Sequence, residues 1–396
     1  MNGILDGITV IDLSKVIAGP LCGQMLGDMG AEVIKIERPG KGDENRNWAA
    51  YINGESCNYM SVNRNKKDIT LDLQNEKGIE ILYELVKKAD VLIESFRPGV
   101  TEKLKIDYET LHSINPDLIY CTISGYGTKG DLSSRPGYDL MVQAYSGMMS
   151  MTGEEGQDPI RVGSSYIDIG TGLLAYNGVL TALLGLNRRK STGQHINVSL
   201  LETAITFLGY HAVNHLNAGI NPPRFGSGLW HLVPYQAFHT QNGFIITGAT
   251  NDKAWKNFCL AIDQPYLYED ERFKTNKLRI ENRDVLIPLL QKVFETNTRE
   301  HWTGKLDQFK LPVSPVHELE EVMKDPQVLA NEMVIEVDHK KIGNLKLLGF
   351  PVNFSETPYS VRMAPPLLSE HTEEILINKL GYTDDIIENL QNEGVI

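Results

Sequence analysis

The sequence runs to 396 residues, with 38 Lys and Arg against 51 Asp and Glu, a formal net charge of -13, and 41% hydrophobic and 22% charged residues. At roughly 100 to 200 residues per domain, this length corresponds to two or three domains and excludes a small disulfide-stapled scaffold. The acid excess offers no overall positive field to nucleic acid, and the composition is that of a folded chain rather than a disordered one.

In chain order, short β-branched runs predict strands over residues 8–13, 32–36, 91–96 and 118–124. Residues 76–89 predict a helix with Ile79, Leu82 and Val86 on one face, at spacings of three and four. That alternation predicts an α/β fold, a parallel sheet wrapped by helices. A further strand is expected over 162–169, followed by a tightly packed Gly- and Ala-rich helix over 170–186. Asp168, Gly170, Gly172 and Asn177 interrupt the apolar run 166–186, so no membrane span is expected. The N-terminus lacks a basic stretch ahead of an apolar one, and Cys22, Cys57, Cys121 and Cys259 are scattered. The expectation is a cytoplasmic protein with reduced thiols and no zinc site.

Residues 215–230, rich in Pro, Gly and Asn, read as a loop joining two bodies. Beyond them, 235–239 and 244–247 flank Asn242-Gly243, a hairpin signal, and Trp255, Phe258, Cys259 and Ile262 mark an amphipathic helix. These elements predict a smaller α+β domain ending near 311–315. A hairpin-like stretch over 334–354 and a helix over 373–380 then return to the larger body. The expected boundaries are 1–215 for the first part of the large domain, 216–320 for the small domain with its linkers, and 321–396 for the return.

The loop after the first strand, Ser14-Lys-Val-Ile-Ala-Gly-Pro-Leu-Cys-Gly-Gln24, does not carry the GxGxxG of a dinucleotide site. Gly170-Thr-Gly-Leu-Leu-Ala175 does match GxGxxA after an expected strand, but no acid follows about 20 residues on. A nicotinamide-dependent oxidoreductase therefore stays open as a lesser alternative. Asp168 stands two residues before Gly170 and four before Gly172, where a thioester or carboxylate could approach closely. Asp is also a preferred helix cap, a role that needs no chemistry. Capping would lower its pKa and leave it ionised and nucleophilic at neutral pH.

Lys35, Arg38, Lys41 and Arg46 follow the second strand, and Arg97, Lys103 and Lys105 follow the next. Loops after parallel strands line one edge of a sheet, so two basic loops there would suit a phosphorylated ligand; solvated surface charge is the alternative. Arg38 precedes Pro39-Gly40, which fixes the backbone around it. Trp48 either shields a pocket or packs, and Gly226-Ser-Gly228 either presents N–H groups to a substrate or supplies a linker's positive φ. His211 and His215 lack an acidic neighbour and receive no metal role.

Together these stretches resemble the family III CoA-transferases. The resemblance rests on Val10-Ile-Asp-Leu-Ser14, Ala18-Gly-Pro20, Gly30 through Gly40 with Gly42-Asp43, Asn63-Arg-Asn-Lys66 and Glu94-Ser-Phe-Arg-Pro-Gly99. It continues in Ser124-Gly-Tyr-Gly127, Pro136-Gly-Tyr-Asp139, Asp168 with its glycines, Thr192-Gly-Gln194 and Ala364 through Thr372. It implies that Asp168 is a nucleophile, passing through an acyl anhydride and an aspartyl-CoA thioester. It places Ile17, Ala18, Arg38, Leu71, Gln74, Phe96, Arg97 and Lys103 where family members contact CoA. It likens Gly226 and Gly228 to the family's mobile glycine loop over the active site, and Trp48, Tyr138 and Asp139 are the residues expected to shape the substrate pocket. The coenzyme A thioester would be a substrate, with no tightly bound cofactor, and the acceptor a small carboxylic acid. The family's fold implies a Rossmann-like large domain, a smaller α+β domain and an interlocked homodimer. α-Methylacyl-CoA racemase shares that fold and is the alternative, but it has His where this chain has Tyr138. Tyr, with an unperturbed pKa near 10, is a poor neutral-pH base, which favours transfer.

Overall fold

The structure is a computed structural model that describes residues 3–396. Its contacts divide the chain into a larger unit (Met1–Ser146, Val162–Ala212, Gln327–Ile396) and a smaller one (Gly147–Arg161, Val213–Pro326). Residues 147–161, expected within the first large segment, group with the smaller unit.

Strands covered on both faces read as continuous apolar runs rather than alternating ones. Thr9–Asp12 (β1) and Val91–Glu94 (β4) are buried at every residue, and Glu32–Glu37 (β2) at all but its first. With Lys66–Thr70 (β3), Ile119–Ser124 (β5) and His195–Ser199 (β6) they form one parallel sheet in the order β3-β2-β1-β4-β5-β6. The chain steps outward from β1 to β3, then crosses back to add β4 on the other side of β1. Loops leaving β1 and β4 therefore diverge, and the crevice between them at the carboxyl ends is where ligands bind in open sheets of this kind.

One sheet face packs Ile11, Ile34, Leu92 and Tyr120 against Leu82 and Val86 of helix α2 (Glu76–Val86). Ile375 and Leu376 of Thr372–Leu380 and Ile387 and Leu390 of Asp384–Asn392 complete that core. The C-terminal segment of the larger unit also holds the hairpin Val334–His339 with Gly343–Leu348.

Residues 162–169, expected as a strand, are not one. Helix α4 (Tyr166–Asn187) begins there, after the short helix α3 (Asp139–Tyr145). Ile167, Gly170, Thr171 and Ala175 recur at helical spacing on its buried side, a period that the short β-branched run conceals. The polar and glycine interruptions do not break α4, which is long and apolar enough by length and composition to cross a membrane. Its glycines serve packing. A β-carbon on Gly172 would lie 2.6 Å from the Ala18 carbonyl of helix α1 (Ala18–Asp28), and one on Gly170 would strike the Phe207 ring. Gly170 through Ala175 therefore lie inside a helix rather than at a strand-to-helix turn, so the nucleotide fingerprint has no structural counterpart.

In the smaller unit, Tyr235–Thr240 and Gly243–Gly248 pair antiparallel, and Val313–Pro315 joins the second of them. Phe238, Ile245, Trp255, Phe258, Cys259 and Trp302 fill its separate core.

Because α1 and α4 meet backbone to backbone at Gly172, Gly172→Val should cost about 1–3 kcal/mol through overpacking. Thermal unfolding should report a lowered Tm; an unchanged Tm would show that the helices part without cost.

Candidate functional site

The site is framed by charges buried among the first three strands and the loop that follows β1. Asp12, the last residue of β1, accepts a hydrogen bond from Lys66 Nζ at 2.8 Å and from Ser14 N at 2.9 Å, and bonds the Ser14 hydroxyl. Lys66 also donates to the Pro20 carbonyl (2.7 Å) and to Asn63 (2.9 Å). Burial disfavours the Asp12 charge, but Lys66 and Lys35 outweigh it and hold the carboxyl below its usual range. Burial draws Lys66 down to about 8, so the pair is charged at neutral pH.

Lys35 in β2 donates to the Ser14 carbonyl (3.0 Å) and to Asp43 (3.2 Å). Asp43 accepts from Val16 N, whose carbonyl in turn accepts from Asn45 Nδ2 at 2.6 Å. These bonds hold Val16 at φ 70°, a left-handed conformation that a β-branched residue adopts only when its surroundings impose it. The loop from Ser14 to Ala18 is thus fixed in one shape.

Two cavities adjoin there, sharing Lys15, Phe96 and Val100. The first, about 250 Å³, is lined by Ser14, Arg38, Leu71, Gln74 and Leu104. The second, about 370 Å³, is lined by Ile17, Ala18, Arg97, Arg135, Tyr138 and Asp168. Of the eight residues assigned to CoA by resemblance, seven therefore line these cavities; Lys103 lines neither, although its neighbours in Val100–Leu104 do.

The basic loop after β2 divides in two. Lys35 is buried against Asp43, and Arg46 pairs with Glu37 (2.7 Å) and Asp68 (3.4 Å) while lying 3.6 Å over the Tyr59 ring. Their charges serve the fold, which is neither the ligand contact nor the solvated surface charge that the sequence left open. Arg38, Lys41 and Arg97 are exposed and, among the described residues, have no ion-pair partner.

Asp168 occupies the first turn of α4, not a strand end. It does not cap the helix. Asp139 does so, its Oδ2 accepting from Ile167 N (2.7 Å) and Asp168 N (3.2 Å), while its Oδ1 accepts from Gln143 at 2.5 Å. Asp139 is buried and lines neither cavity; its work leaves the Asp168 carboxyl to the second one. The low pKa expected for Asp168 is also overturned: burial first, then the Asp139 charge, pushes it up to about 7.

Trp48 is exposed, lines neither cavity, and uses its carbonyl to accept from Ser56. Gly226 and Gly228 belong to the smaller unit, where Gly226 adopts φ 56° beside the Glu154 carboxylate and donates to the Gly153 carbonyl at 2.8 Å.

Composition missed three residues. Lys15 lines both cavities, and Arg135 lines the one holding Asp168. Glu94 ends β4 and accepts from Phe96 N at 2.7 Å, bracing the loop that walls both; burial pushes its pKa up to about 7. An acid closing an otherwise apolar strand was the available signal.

Adjoining cavities at a strand-order reversal, one edged by an unpaired Arg and the other holding a carboxyl poised near neutrality, correspond to an established family. The model of CoA-transferase family III matches residues 5–372. The chain belongs to that family. The succinyl-CoA:glutarate CoA-transferase of Homo sapiens is 39% identical over 399 residues, covering 100% of this chain and 91% of the human one. The acetyl-CoA:oxalate CoA-transferase of Acetobacter aceti is 37% identical over 369 residues, covering 92% and 93%. Among solved structures, a CAIB/BAIF family protein from Brucella suis matches with a TM-score of 0.87 at 34% identity, covering 96% of this chain and 100% of that one. The chain is a family III CoA-transferase, as its motifs implied.

Since Asp139 supplies the like charge beside Asp168, Asp139→Asn should move the Asp168 titration midpoint below about 7 while keeping an acceptor for the helix N–H groups. A carboxyl-carbon NMR titration reads this directly; an unmoved midpoint would leave burial as the sole cause.

Proposed function

We propose that the protein transfers CoA between small carboxylic acids, at least one of them dicarboxylic, with Asp168 as the nucleophile. The observation that carries this reading is the Asp168 carboxyl in a cavity adjoining the one edged by Arg38. The acids come from the relatives, whose names pair succinyl-CoA with glutarate and acetyl-CoA with oxalate.

In the proposed reaction the Asp168 carboxylate attacks the donor thioester carbonyl. The C–S bond breaks, leaving an aspartyl–acyl anhydride and CoA thiolate. The thiolate attacks the Asp168 acyl carbon, expels the donor acid as its carboxylate and forms an aspartyl-CoA thioester. The acceptor carboxylate attacks that thioester, giving a second anhydride and thiolate. Attack of the thiolate on the acceptor's acyl carbon yields the new acyl-CoA and frees Asp168. No proton or electron is consumed, and two simple exchanges replace one difficult step. Arg38 and Arg97 would meet the phosphates of CoA, with Leu71 and Phe96 against its apolar arm.

The ionised form of Asp168 is the one that attacks. With its pKa near 7, kcat/KM should climb as pH rises through about 7 and level off above it. A rate that stays flat from pH 5.5 to 8.5 contradicts that assignment. Mass spectrometry after incubation with acyl-CoA should find a CoA adduct on the peptide bearing Asp168, and Asp168→Ala should lose both adduct and transfer. Transfer surviving in Asp168→Ala would sink the proposal.

The apolar surface supports a homodimer. Leu173, Leu174 and Leu184 of α4 and Met141 and Tyr145 of α3 are exposed, an extent of apolar surface that a second copy would cover. Sedimentation should give the mass of two chains at micromolar concentration; a single-chain mass would remove this part of the reading.

A further inference from the structure

The cavity that holds Asp168 has three cations on its walls, Lys15, Arg97 and Arg135. They are not equivalent. Lys15 lines the neighbouring cavity as well, and Arg97, which like Arg135 lines only this one, directly follows Phe96, which lines both. Arg135 lines the Asp168 cavity alone, on the same chain segment as Gly137 and Tyr138 and four residues before the Asp139 that caps α4.

Arg135 is exposed, and its guanidinium is uncommitted. It lies 5.8 Å from the ring centroid of Tyr126, which is buried and meets Tyr145 edge-on. The Arg135 backbone is pinned in a turn by its N–H to the Leu132 carbonyl at 2.9 Å. Among the described residues no carboxylate pairs with it, although Arg46, Arg64 and Arg299 of the same chain all find one. A planar fork of N–H donors so placed is complementary to a carboxylate or a phosphate.

The charged groups of CoA lie at its nucleotide end, far from the thioester. At the acyl end, the only anion besides the reacting carboxyl is a second carboxylate on the acid itself. We propose that Arg135 receives the far carboxylate of a dicarboxylic acid whose near carboxyl reacts at Asp168. The inference rests on the transfer reading above and deepens it. Since donor and acceptor acids are attached to Asp168 in turn, one receptor serves both. The preference for a second carboxylate should accordingly be the same in the acyl-CoA donor as in the acceptor acid.

The test uses the full chain and two variants, Arg135→Gln and Arg135→Lys. With acetyl-CoA as common donor, kcat/KM is measured for glutarate and for pentanoate, acids of equal length with and without the second carboxylate. The wild type should prefer glutarate, and Arg135→Gln should lower the glutarate-to-pentanoate ratio about 10- to 100-fold, the range for losing a charged hydrogen bond. Arg135→Lys, which keeps charge but not the fork, should fall between. The succinyl-CoA to butyryl-CoA ratio should shift by a similar factor, and the Kd of desulfo-CoA should stay within twofold of the wild type. An unchanged acid ratio in Arg135→Gln overturns the proposal, as does a wild type indifferent to the second carboxylate. Tenfold weaker desulfo-CoA binding with an unchanged ratio would assign Arg135 to a CoA phosphate instead. Absence of CoA transfer by the wild type with every donor, or transfer surviving in Asp168→Ala, would mark failure of the underlying reading and take this inference with it.

Discussion

Two ion pairs taken out of water, Asp12 with Lys66 and Lys35 with Asp43, hold the place where the strand order reverses. Between them they tie the end of β1, the middle of β2 and the start of β3 to the loop that follows β1. Pairs of this kind contribute little net stability, because desolvation offsets their attraction, but loss of one partner strands the other at a cost of about 3–5 kcal/mol. Their value lies in direction. An apolar replacement of similar volume would keep the core filled, yet it would release Ser14 and Val16, and with them the wall shared by both cavities.

The same logic of assigned charge runs through the site. A chain with a net charge of -13 still presents Lys15, Arg38, Arg97 and Arg135 around the cavities without ion-pair partners among the described residues, while Lys35 and Arg46 are spent on internal carboxylates. The two acids at the start of α4 are likewise separated by role. Asp139 accepts the helix N–H groups, and its field adds to burial in raising Asp168 from 3.8 to about 7. That shift corresponds to about 4 kcal/mol against the ionised form. A carboxylate so disfavoured gains by exchanging its charge for a neutral acyl bond, which is what the proposed reaction asks of it.

Much of this was legible in the amino-acid order. The strands β1, β2, β4 and β5 announce themselves as apolar runs, and the hairpin around Asn242-Gly243 and the helix bearing Trp255 appear where their turn and spacing signals place them. The outer strands were hidden for physical reasons. β3 begins Lys-Lys-Asp, which reads as surface until Lys66 is seen to neutralise Asp12, and β6 is an edge strand whose alternating polar residues face outward. The start of α4 was misread because four residues cannot distinguish a period of 2 from one of 3.6. Asp168 does line the second cavity, but its environment is the inverse of the one expected: the capping duty falls to a residue 29 positions earlier, and no local pattern reports that. Which lysine or arginine is spent internally is equally a property of the folded chain.

The C-terminal helices carry a consequence for biosynthesis. Ile375, Leu376, Ile387 and Leu390 belong to the same core as Ile11 and Ile34, and the backbone of β3 is bonded at Asp68 and Thr70 to His371 and Thr372. The larger unit cannot close its core until residues 375–390 have left the ribosome. At about 5–20 residues per second, its first strands wait roughly 20–75 s for the helices that cover them. The smaller unit, encoded between those parts and possessing its own core, has all its residues earlier. During that interval a half-covered parallel sheet depends on chaperones, or on the speed of translation, to remain unassociated.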